Sequence, residues 1–122
     1  MKHILTGIAL LLVIALLCFT VGAICVGIAE HTITLTERAL YSHGMQRLDT
    51  VNEAIANWEK HSPWLLAVQY HDQVDNVRSM LEELRHCAES GNDEEFISLC
   101  AKLRLRLENI KAASSLKLSQ IL

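Results

Sequence analysis

Residues 4–29 read ILTGIALLLVIALLCFTVGAICVGIA, a run of 26 residues without a single charge. A helix needs about 20 predominantly apolar residues to cross a hydrocarbon core. Inside that core every backbone polar group must be satisfied within the segment, which selects a helix. At roughly 1.5 Å per residue the run extends about 39 Å, enough to span a core of roughly 30 Å with tilt. It is longer than the 7 to 15 or so apolar residues of a cleaved signal peptide. Val21-Gly22-Ala23 and Gly27-Ile28-Ala29 each offer small residues that would suit a cut, but length favours an anchor that stays attached. Lipoprotein processing is not expected, because Cys18 follows Leu17 and Cys25 follows Ile24 where a small residue is needed. Both cysteines read as small apolar residues of the span. No GxxxG spacing is present; Gly22 and Gly27 are five apart.

Lys2 and the terminal amine flank the run on one side, and Arg38 is the first basic residue on the other, nine positions past Ala29. Because basic residues near a span collect on the cytoplasmic side, the N-terminus is expected inside and the remainder outside.

The anchor (residues 1–29) leaves residues 30–122 for one small domain. Charge is uneven there: residues 30–95 hold 5 basic and 13 acidic side chains, whereas residues 96–122 hold 5 basic and 1 acidic. The simpler reading is that opposite faces of one bundle meet; the sharper one is a basic surface for lipid headgroups or an acidic partner. A negative total and the lack of aromatic-basic interleaving argue against nucleic acid.

One proline and two glycines in this region predict long helices and few turns. The first helix is expected from about residue 32 or 34 to Trp58, with a stripe of Leu40, Leu48, Val51, Ile55 and Trp58 and a weak point of roughly 1 kcal/mol at Gly44. His61-Ser62-Pro63 reads as a turn, with Ser62 as N-cap and Pro63 at the first helical position. The second helix carries Tyr70, Val74, Val77, Leu81, Leu84 and Ala88, and ends at Gly91. Asn92 or Asp93 caps the third, whose stripe is Phe96, Leu99, Leu103, Leu107 and Ile110. Alternation over residues 102–107 imitates a strand, but the cap and the flanking spacing favour a helix. The expected class is all-α: a transmembrane helix followed by a three-helix antiparallel bundle.

The densest polar-aromatic cluster is Trp58, Trp64, Tyr70, His71, Asp72, Asp75 and Asn76. His71 and Asp75, four apart, could reach one metal or one proton, yet zinc needs three or four ligands and HExxH is absent. A partly buried imidazole bonded to Asp75 is the plainer reading. Trp58 and Trp64 would suit a membrane interface, but Trp58 lies 29 residues past the run, about 44 Å along a helix, which favours packing at the far end of the bundle. Cys87 and Cys100 flank the Gly91 turn and are either a disulfide, closing a loop of about 14 residues, or two buried thiols. No nucleophile elbow, phosphate loop or CxxC motif appears, so no catalytic residue, cofactor or metal is assigned.

Trp58, Trp64, His71, Val74-Asp75-Asn76-Val77 and the ending Ser115-Leu116-Lys117-Leu118-Ser119-Gln120-Ile121-Leu122 together resemble the DUF4363 family. These are small membrane-anchored proteins of Gram-positive, often spore-forming, bacteria. Cys87 and Cys100 are not part of that pattern. The resemblance implies no catalytic residue; it implies that His71 and Asp75-Asn76 belong to a shared core or surface. The expected role is a non-enzymatic structural or interaction module, held by the lipid bilayer and meeting a protein partner or a second copy. The alternative is an extracytoplasmic ligand or metal sensor using His71, Asp72 and Asp75.

Overall fold

The computed structural model describes residues 1–67 and 71–121, with side chains at 1–66 and 71–114. Four helices follow one another: α1 (Lys2–Leu40), α2 (Gly44–Ala67), α3 (His71–Ser90) and α4 (Asp93–Ile121). α1 packs on α2 and α4, and α3 packs on α2 and α4, so neighbours in sequence close into an up-down-up-down ring. The helical class and the long apolar first helix are as the sequence predicted.

Two boundaries differ from expectation. The chain turns at Tyr41-Ser42-His43, so the helix expected from residue 32 to Trp58 is two helices. Its first part is simply the end of α1, which joins α2, α3 and α4 as the fourth member of the bundle. Gly44 is not a weak interior point; it opens α2 at φ +61°, a conformation glycine adopts without a Cβ penalty. The second difference lies at His61-Ser62-Pro63, which is no turn: α2 runs straight through it. Pro63 cannot donate to the carbonyl of Glu59, but the Ser62 hydroxyl donates to that oxygen at 3.4 Å. The buried stripe of Val51, Ala54, Ile55, Trp58 and Leu65 continues past the proline, and packing overrides the local break.

The turn after α1 shows how an end is satisfied. Four terminal carbonyls of a helix lack intrahelical donors. Here Tyr41 N–H donates to Glu37 O, the Ser42 hydroxyl to Arg38 O, Ser42 N–H and Arg47 Nε to Ala39 O, and Arg47 Nη2 to Leu40 O. Arg47 is buried for this purpose, 6% exposed. Its guanidinium also lies 4.3 Å from the centroid of the Phe96 ring and 2.8 Å from Asp93 Oδ1.

The α3–α4 turn follows expectation. Gly91 has φ +73°, and Asn92 caps α4 by accepting from Glu95 N–H at 3.3 Å while its amide donates to the Glu95 carboxylate at 3.0 Å. Val74, Val77, Leu81 and Leu84 are buried along α3, as are Phe96, Leu99, Leu103, Leu107 and Ile110 along α4. Part of the charge asymmetry is paired across the bundle: Arg104 of α4 meets Glu37 of α1, and Lys111 meets Glu30 at 2.8 Å.

Candidate functional site

α1 does two jobs along one unbroken helix. Residues 2–20 are exposed throughout, apart from a half-buried Ala15. From Val21 onward the helix enters the bundle, where Cys25, Ile28, Ala29, Thr32, Ile33, Leu35, Thr36 and Ala39 are buried. A core helix of a water-soluble bundle would hide its most apolar stretch; this one leaves it bare. It is the one described helix long and apolar enough to cross a membrane. Thr6, Thr20, Thr32 and Thr36 each return their hydroxyl to the carbonyl four residues back, so these polar side chains are satisfied within the helix.

The aromatic cluster lies where α2 returns toward that bare segment. Cys25 Sγ approaches the carbonyl oxygen of Trp64 at 4.0 Å, which puts Trp64 level with the lower bundle part of α1. The expectation that Trp58 and Trp64 sit at the far end of the bundle is therefore overturned. It measured distance along the chain and assumed a straight path, whereas the reversal at residues 41–43 brings α2 back. Trp58 is fully buried and its indole N–H donates to the Val74 carbonyl at 3.3 Å. Trp64, six residues on and so about 240° further round the helix, points outward at 47% exposure.

Trp58 and Asp75 line one groove of about 280 Å³ between α2 and α3, flanked by Glu59, Val74 and Arg78. Arg78 bridges to Glu59 at 3.2 Å beside it. Asp72, Asp75 and Asn76 are exposed on the solvent side of α3. His71 is exposed too, not partly buried, and no hydrogen bond joins it to Asp75 among the described residues. The reason is position: His71 is the first residue of α3, and the buried stripe starts only at Val74. Among the described residues no three His, Cys, Asp or Glu side chains gather as a metal would require. Tyr70 lies outside the described residues.

At the opposite end, Cys87 and Cys100 are both buried thiols flanking the Gly91 turn. Burial pushes the Cys100 thiol up to about 12; nearby Arg47 opposes the rise and Cys87 adds to it. Burial likewise raises Cys87, with Glu95 and Glu83 contributing. Both are protonated at neutral pH, which makes them poor nucleophiles. An open groove of about 650 Å³ beside Cys87 is rimmed by Glu82, Glu83, His86 and Glu95. The structural residue that sequence reading missed is Arg47, counted there only as one charge; its signal is a lone arginine three residues after the turn glycine.

A family model described as "Domain of unknown function (DUF4363)" matches residues 28–121. No curated protein and no solved structure matches the chain.

Proposed function

The chain belongs to the DUF4363 family, and from that premise we propose that it is a single-pass membrane protein whose α1 holds a non-catalytic helical interaction module at the bilayer. One observation carries the reading: α1 is bare over residues 2–20, apolar from Ile4 on, and contributes to the bundle core from Cys25 to Ala39, without a break between them. Anchor and module share one helix, so the bundle stands on the membrane with a fixed foot. The matched family region begins at residue 28 and so leaves most of the apolar run outside it. The orientation that Lys2 supports puts the N-terminus in the cytoplasm and the bundle outside. The end presented furthest from the anchor carries exposed Tyr41 and Met45 beside the first turn, where a partner protein would meet it.

Washing native membranes with alkaline carbonate tests the anchor: the chain stays in the pellet, and its release into the supernatant would overturn the reading. A membrane-impermeant amine reagent applied to intact cells tests orientation through exposed Lys60 and Lys102. Labelling that requires lysis reverses the topology. A photo-crosslinker at position 45 is expected to give a discrete adduct that Tyr41→Ala weakens; recovery of uncrosslinked monomer alone counts against the interaction role.

A further inference from the structure

We infer that the anchor-side end of the bundle, the last two turns of α2 around Trp64, is seated in the headgroup layer of the bilayer, with Trp64 as its contact to lipid. The inference rests on the reading of α1 as an anchor and adds a second point of attachment to it. The height follows from the helix itself. Lys2 to Thr20 is 19 residues, about 28 Å at 1.5 Å per residue, close to the roughly 30 Å of a hydrocarbon core. The hydrocarbon boundary therefore falls near Thr20, where exposure of α1 ends and packing begins. Cys25 stands five residues higher, about 7.5 Å, and the headgroup layer on each side is about 5 to 7.5 Å deep. The Trp64 carbonyl is at the level of Cys25, 4.0 Å from its sulfur. The exposed indole thus lies in the zone where an apolar ring with one N–H donor is favoured.

Charge limits the depth from both sides. Residues 62–67 of α2, SPWLLA, are uncharged, as are residues 3–29 of α1 apart from His3. Along α1 the first charge after this run is Glu30, ten residues above Thr20 and paired with Lys111, and both partners retain exposure, 58% and 32% for their side chains. At about 15 Å above the core boundary the pair stays in water. A deeper seat would drag it toward hydrocarbon; a shallower one would leave part of residues 2–20 outside. Residues 62–67 carry the chemistry of a lipid interface, one aromatic among largely apolar neighbours and no charge of their own, while exposed Asp72 in the first turn of α3 stands at the same end of the bundle and suits the polar headgroup layer rather than hydrocarbon.

The full-length chain in phosphatidylcholine vesicles provides the test, with tryptophan emission as the readout. Trp64 is isolated as the difference between wild type and Trp64→Phe, a surface change that leaves buried Trp58 untouched, and independently in Trp58→Phe. Lipid brominated high on the acyl chain is expected to quench Trp64 at least about twofold more than lipid brominated near the chain end, while Trp58 is quenched by neither. If the chain floats with the vesicles but Trp64 responds to aqueous acrylamide and not to brominated lipid, the seat is refuted and the anchor stands. Shielding of Trp64 from both quenchers also refutes it, and assigns the face to protein. Failure to float with the vesicles removes the anchor, and this inference with it.

Discussion

Arg47 shows how one side chain can decide where a bundle turns. Its side chain is 8% exposed, and three of its contacts are hydrogen bonds, two to the last carbonyls of α1 and one to Asp93. The carboxylate is 72% exposed, so the ion pair is largely screened by water and contributes about 0 to 1 kcal/mol. The carbonyl contacts matter more, because Leu40 O accepts from this guanidinium at 3.1 Å and loses that donor on truncation. Arg47→Ala is expected to cost about 2 to 4 kcal/mol and Asp93→Asn less than about 1, measured by chemical unfolding in detergent with circular dichroism. Equal losses would mean that the ion pair, not the cap, holds the turn. Cys100 gives a prediction in pH. Its thiol is raised from 9.0 to about 12, so the unfolded chain releases this proton first as pH rises. The corresponding stability is complete below pH 9 and is lost between pH 9 and about 12. Lys111, raised by its hydrogen bond to Glu30, acts in the same direction at higher pH. Cys100→Ala should flatten the decline that begins near pH 9, although it also leaves a small cavity. At pH 8 neither Cys87 nor Cys100 should react with iodoacetamide until the chain unfolds; rapid native labelling of both would contradict their burial.

At the scale of elements, α4 separates pattern from geometry. Leucines at 103, 105 and 107 alternate as a strand would, yet Leu103 and Leu107 are fully buried while Leu105 is 63% exposed. Leu103→Ala should therefore cost about 2 to 5 kcal/mol and Leu105→Ala less than about 0.5, in the same unfolding assay. A strand would put all three on one face and level the two values. α3 and α4 were legible because step, cap and stop agree: Val74 to Leu84, Asn92, and Gly91 each say the same thing. The first turn was not legible. Tyr41-Ser42-His43 holds no strong breaker, and Gly44 fits a helix interior as a mere weakness until its positive φ is seen. Ser62-Pro63 misled in the other direction, since a serine before a proline usually opens a helix, and only the buried Leu65 one heptad after Trp58 shows that the stripe continues. Pro63→Ala then restores a backbone donor to Glu59 O and should stabilise the fold by about 1 to 3 kcal/mol. A neutral or destabilising result in thermal unfolding would mean that a turn, not a helix interior, occupies this site.

At the scale of the molecule, the position of the aromatic cluster was the part of the candidate site that sequence could not supply. Trp58 and Trp64 were recognisable as part of a polar-aromatic cluster expected to pack at the far end of the bundle, but their height along α1 depends on the turn at residues 41–43, which the pattern hid. The same turn makes the long first helix part of two structures at once. Charge and hydropathy put a natural division at Ala29, where the apolar run ends. Packing divides α1 earlier, since burial is already complete at Cys25 and continues through Ile28 and Ala29. The two divisions make different predictions for truncation. Removing residues 2–20 deletes no buried side chain, so the remaining bundle should keep its unfolding midpoint within about 0.5 kcal/mol while leaving the membrane fraction. Removing residues 2–29 also takes Cys25, Ile28 and Ala29 out of the buried core that Leu65 and Ile110 share. At about 1 to 3 kcal/mol for a fully buried apolar side chain, the further loss should reach several kcal/mol, a large share of the stability of a domain this size. Circular dichroism and denaturant unfolding of the two truncations side by side measure this difference. If both unfold together at the full-length midpoint, residues 21–29 belong to the anchor alone; if the shorter deletion already collapses the bundle, the bare segment is holding the core in a way its exposure does not show.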